Sequence, residues 1–216
     1  MKCKLLFFMI FSSLASMAHA KELSVGWELW YPYQYHNSQN ELVGLDIESF
    51  DAIMRQAGLP YHSAEIPWKT HLHFIKTGKV DIAMGASRTE DRENYAYFTK
   101  PYRLETVKLF VKNGQAQNIK LNTLADLSNS PYLIGVEGGY YYGKEYQELI
   151  KRSDFKANIS EVIDIEQNVT LLLEGNLDGF LVDPITMKAF VKKYNMQGLF
   201  EQHAVEIYSA DIYIML

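Results

Sequence analysis

Between residues 22 and 194 the chain runs twice through the same order of strand-like and helix-like segments, and this order constrains the fold more than any other feature. LSVGW (23–27) is a short β-like run. LDIESFDAIMRQAG (45–58) spaces Ile47, Phe50, Ile53, Met54 and Ala57 at helical intervals, with Asp46 as the expected N-cap and Gly58 and Pro60 as the stop. YHSAEI then reads as a strand, WKTHLHFIKTG as a helix ended by Gly78, and VDIAM as a strand. The second pass is YLIGV, YYGKEYQELIKR, SEVIDI, EQNVTLLLEG, LDGFLVD and PITMKAFVKKY, with Pro184 in the first turn of the last helix. FIKTGKVDIAM and LLLEGNLDGFLV match in position: a helix end, a glycine, then an aspartate entering a strand. The order β-α-β-α-β, used twice, implies an α/β protein of two similar lobes, each an open and mainly parallel sheet flanked by helices. The extended run 106–112 leads out of the first lobe into a polar loop, and EIYSADIYIML (206–216) is extended again. The expected division is residues 21–110, 111–205 and a returning strand over 206–216.

The first twenty residues stand apart. MKCK is basic, LLFFMIFSSLASM is an apolar run too short to span a bilayer comfortably, and AHA places small residues at 18–20. A cleaved signal peptide and a periplasmic location are expected. Cys3, the single cysteine, falls within this leader, so the mature chain would hold no thiol. Losing Lys2 and Lys4 takes the formal charge from −5 by two units to −7. An acidic chain with scattered lysines argues against nucleic acid and anionic membranes as partners.

Ligands of open parallel sheets sit at the carboxyl ends of strands. Three such ends hold unusual residues. ELWYPYQY (28–35) puts Trp30, Tyr31, Tyr33 and Tyr35 around Pro32, more rings than one loop needs for packing. MGASRTEDR (84–92) brings Ser87 and Arg92 to the start of a helix near Thr89. A guanidinium there opposes the helix dipole unless an anion offsets it; the alternative is a surface ion pair with Glu90, Asp91 or Glu93. Asp183 ends LDGFLVD in the second lobe; spacing alone makes it an ordinary N-cap, yet it occupies the place that the Ser87 region holds in the first lobe. Tyr140, Tyr141 and Tyr142 open a helix after EGG and divide between cleft and core. His71 and His73, two apart on a helix, point to different faces and read as surface histidines. The sequence contains no glycine-rich phosphate loop, GxSxG elbow or Cys/His array, so neither a cofactor nor a metal is expected.

VGWELWYPYQY, LVGLDIESFDAI, GKVDIAMGASRTEDRENYAYFTKPY, IGVEGGYYYG and GNLDGFLVD resemble the family 3 bacterial extracellular solute-binding proteins, periplasmic receptors for polar amino acids in ABC importers. The similarity runs over about residues 22–216. It implies the type II periplasmic-binding-protein fold, two α/β lobes joined by two hinge strands that close on a ligand. It further implies a monomer that delivers an amino acid to an inner-membrane ABC permease, without catalysis. By position Arg92 matches the arginine that holds the ligand carboxylate, with Ser87 beside it. Asp183 and the Gly85 carbonyl match the groups that hold the amino group. Tyr31 and Trp68 match the two rings that sandwich the side chain, and Glu28 matches an acidic position that reaches a distal cation. Tyr140 and Tyr141 replace small hydroxyl residues, so the side-chain pocket departs from the family pattern. The resemblance also implies a C-terminal helix after the returning strand, and the sequence ends at Leu216 without one. The enzymatic alternative on this fold is a cyclohexadienyl-dehydratase-like protein with Glu28 or Glu137 as general acid.

Overall fold

In the first half the periodic segments take the elements they imply. The computed structural model describes residues 22–216; the expected signal peptide lies outside them. Leu23–Trp27 is β1. Two short strands follow, Tyr35–His36 (β2) and Leu42–Val43 (β3), then Leu45–Ala57 (α1), Tyr61–Glu65 (β4), Trp68–Lys76 (α2), Ile82–Ser87 (β5) and the single turn Glu90–Glu93 (α3). Arg103–Lys112 (β6) crosses to the second half. There Ile134–Glu137 (β7), Gly143–Leu149 (α4), Ser153–Lys156 (α5), Ile159–Val162 (β8), Ile165–Glu174 (α6), Gly179–Val182 (β9) and Pro184–Lys193 (α7) precede Phe200–Met215 (β10).

Eight strands form one ladder in the order β4-β1-β5-β10-β6-β9-β7-β8. Within this ladder the lobe strands pair in parallel, β1 with β4 and β5, and β7 with β8 and β9, while β2 and β3 form a separate antiparallel pair. The crossing strands β6 and β10 run antiparallel to each other, and they join the half-sheets by pairing with β9 and β5 respectively. β10 is longer than the run expected from sequence: it begins at Phe200, where it already pairs with Lys112.

The central strands of both half-sheets are buried on both faces. Ile82 and Met84 of β5 pack with Phe50 and Met54 of α1, whereas Ala83 and Ala86 face Trp68 and Ile75 of α2. In the second lobe Val107, Leu109 and Val111 enter one core with Ile134 and Phe155, while Phe180 and Val182 enter another with Leu172 and Phe190. Strands covered on both sides read as the near-continuous apolar runs seen in the sequence. Gly26 is required by close packing, because a Cβ there would lie 2.2 Å from His71 Nε2.

Asp46 is not the N-cap of α1. Gly44 occupies that place at φ 134°, where a Cβ would meet the Tyr33 carbonyl oxygen at 2.1 Å. Asp46 lies inside the first turn, 1% exposed, and accepts from Arg103 Nε of β6 at 2.9 Å. The expected helix over 141–152 is shorter, α4 covering only Gly143–Leu149, and α5 is a separate turn beyond it. Gly58 caps α1 in the left-handed conformation, as its position implied.

Candidate functional site

The carboxyl ends of β1 and β5 carry Glu28 and Ser87, and those of β7 and β9 carry Glu137 and Asp183. The lobes meet across these ends. Trp30 Nε1 donates to Thr186 Oγ1 at 3.2 Å, Tyr33 OH to Asp183 Oδ1 at 3.1 Å, and Tyr140 OH to Glu28 Oε1 at 2.7 Å.

Between them lies an inner cavity lined by Arg92, Ser87, Gly85, Trp68 and Glu28 of the first lobe and by Tyr140 and Tyr141 of the second. Its volume is about 20 Å³, room for about one water. An outer cavity of about 200 Å³ adjoins it, and Glu28, Trp30 and Tyr140 line both, so these side chains form the partition.

Arg92 is 7% exposed. The Thr89 hydroxyl caps α3 by accepting from the Arg92 backbone N–H at 3.2 Å, which sets the side chain inward. Its Nη1 donates to the Ser87 carbonyl at 2.8 Å, and its guanidinium lies 5.5 Å from the Trp68 ring centre. Among the described residues no carboxylate pairs with it: Glu93, a neighbour that a surface role would use, accepts instead from Arg88 Nε at 2.6 Å. Burial pushes the Arg92 pKa down, and the cation persists because guanidinium does not deprotonate in proteins. A buried cation that no carboxylate pairs directly is costly, and an anion beside it would offset that cost.

Glu28 accepts from the Trp68 backbone N–H and from Tyr140 OH, both at 2.7 Å. Burial raises its pKa despite these donors. Glu137 is also raised, to about 8, by burial and by the Glu28 charge. A cation placed between these two carboxylates would relieve both.

The cleft does not gather every residue expected from sequence. Asp183 Oδ1 accepts from the Thr186 backbone N–H at 2.8 Å, so it is the N-cap of α7 as well as the partner of Tyr33, and it does not line the inner cavity. Tyr31 lines only the outer cavity, with Lys193 Nζ 5.3 Å from its ring centre; Trp30, one residue earlier, supplies the inner wall. Tyr141 stacks edge-on against Tyr208, and Tyr142 is buried in the second-lobe core. His71 is no surface residue: it is 1% exposed, lies on the inner cavity and contacts the Ile82 carbonyl oxygen at 3.2 Å. Glu105 of β6 also lines that cavity and was not singled out in the sequence. Its signal was present, because Glu105 falls in phase with the core residues Val107, Leu109 and Val111.

The model of the bacterial extracellular solute-binding proteins, family 3, matches residues 23–202. A probable histidine-binding protein of Campylobacter jejuni is 27% identical over 162 residues; the match covers 74% of this chain and 59% of that protein. The arginine-binding extracellular protein ArtP of Bacillus subtilis is 22% identical over 191 residues, 87% of this chain and 71% of its own length. Among solved structures, the arginine-, lysine-, histidine-binding protein ArtJ of Geobacillus stearothermophilus superposes with a TM-score of 0.74 at 22% identity, over 91% of this chain and 82% of that one. An ancestral arginine-binding protein bound to arginine superposes with a TM-score of 0.72 at 23% identity, over 90% and 84%. The chain therefore belongs to the bacterial extracellular solute-binding proteins of family 3.

Proposed function

We propose that the protein is a periplasmic receptor that captures a cationic amino acid between its lobes and hands it to an ABC permease of the inner membrane. The observation that carries this reading is the inner cavity: the unpaired Arg92 guanidinium and the Glu28 carboxylate line one space between two lobes. Arg92, with Ser87 beside it, takes the ligand carboxylate, and Trp68 covers the bound molecule. Glu28 and Glu137, both with carboxyl pKa values raised by burial, take the side-chain cation. The names of the relatives, histidine- and arginine-binding, are in keeping with this polarity. Entry requires the lobes to part or Tyr140 to swing away, because the inner cavity holds about one water as it stands. The protein acts as a monomer after removal of its signal peptide, and no observation favours the dehydratase reading.

The test is calorimetric titration of ligand-free, refolded protein with L-arginine, L-lysine, L-histidine and L-leucine. At least one of the first three should bind at about micromolar or tighter and L-leucine should not; nothing tighter than about millimolar would overturn the reading.

A further inference from the structure

We propose that Glu105, on the hinge strand, receives the ligand's α-ammonium group, and that Asp183 serves instead to cap α7 and fasten the lobes. This rests on the receptor reading above.

Side chains of β6 alternate, and one row runs Arg103, Glu105, Val107, Leu109, Val111. The last three fill the second-lobe core. Glu105 is the point where that row leaves the core and enters the cavity that Arg92 also lines. It stands opposite Ala210 of β10, midway along the paired crossing strands. Its residue is 7% exposed, and among the described residues no donor reaches its carboxylate. A carboxylate that opens only onto this small cavity is costly unless a ligand donates to it, and an ammonium supplies three donors.

Asp183 is committed elsewhere. Its Oδ1 accepts both the Thr186 N–H and the Tyr33 hydroxyl, and the residue is absent from the cavity wall. The charges on that wall then match a cationic amino acid: Arg92 for the carboxylate, Glu105 for the ammonium, Glu28 for the side chain. Burial holds the Glu105 carboxyl up at about 7 in the empty protein, against the opposing pull of Arg103 and Arg92 and with the support of Asp183 and Asp46. An arriving ammonium would favour its ionised form and release a proton.

The experiment titrates wild type, Glu105→Gln and Asp183→Asn with L-arginine, L-lysine and L-histidine and with the desamino counterpart of whichever binds tightest. Glu105→Gln should weaken the amino acid about 30-fold or more and the desamino acid less than about threefold. Asp183→Asn should weaken both to the same degree. Equal losses for the two probes in Glu105→Gln, or no loss, would overturn the assignment while leaving the receptor reading intact. Failure of wild type to bind any of the three amino acids would overturn both. Should Glu105→Gln not fold, wild type alone decides: near a pH of about 7, proton uptake or release in buffers of different ionisation enthalpy should be larger with the amino acid than with its desamino counterpart. Equal proton release would count against Glu105.

Discussion

The Tyr140 hydroxyl of the second lobe donates to Glu28 Oε1 of the first at 2.7 Å, and both side chains belong to the partition between the inner and outer cavities. This bond joins the lobes at the place where the ligand side chain is proposed to sit, so the tyrosine and the ligand compete for one carboxylate. A hydrogen bond to a charged group contributes about 1.5–3 kcal/mol. Tyr140→Phe should therefore shift the ligand-free protein toward a more open arrangement. Small-angle scattering should show a larger radius of gyration for the variant, and the difference should vanish on saturation with ligand. Identical scattering in the absence of ligand would deny the latch.

Asp46 and Arg103 form a buried ion pair at 2.9 Å that ties α1 to the hinge strand, with the Arg103 guanidinium 4.0 Å from the Tyr33 ring centre. Removing one member leaves the other charge buried, at a cost of about 3–5 kcal/mol. Asp46→Asn should lower the urea midpoint by an amount equivalent to that loss. A change below about 1 kcal/mol would mean that water replaces the carboxylate freely.

Glu105 and Glu137 are held at about 7 and about 8, well above an ordinary glutamate. Raised carboxyl values make a contribution to stability that is fully present below the unfolded-state pKa and is lost as pH rises through the folded-state values. The ligand-free protein should therefore melt at a lower temperature near pH 8.5 than near pH 5, because that window runs from an ordinary glutamate value of about 4.5 up to the folded-state values. The charges that face Glu137 are Glu28, Asp164, Glu166 and Glu105, and those that face Glu105 are Arg103, Asp183, Asp46 and Arg92. The double variant Glu105→Gln, Glu137→Gln should flatten the slope. A wild-type melting temperature constant across the window would contradict the burial argument.

Much of the fold was legible because its strands are apolar runs separated by amphipathic helices with glycine or proline at their ends. Gly58 and Pro184 act as their positions imply. What failed was local and had a physical cause. Asp46 resembles a cap, and only the crossing strand that brings Arg103 against it shows that its carboxylate is used in the interior. Trp30 and Tyr31 differ by one residue in an irregular loop, where no periodicity says which ring faces which cavity. His71 follows a helical pattern that shows which face it shares but not that a glycine on β1 leaves room for its ring. Glu105 is legible in the strand period, because a charge in phase with three core residues marks the end of a core. For Arg92 the position after β5 left a surface ion pair open and the family resemblance implied the carboxylate role; its burial without a direct carboxylate partner separates it from the surface pair that Arg88 and Glu93 make.

The carboxylate clamp at Arg92 is tested most directly by titrating wild type and Arg92→Ala, each shown to be folded by its melting curve, with the tightest-binding of L-arginine, L-lysine and L-histidine. Truncating one partner of a buried, hydrogen-bonded charge pair costs about 2–5 kcal/mol or more, so affinity should fall by at least about 30-fold and binding should disappear at ordinary concentrations. An Arg92→Ala variant that binds as tightly as wild type would contradict the clamp and with it the orientation assigned to every other group in the cleft.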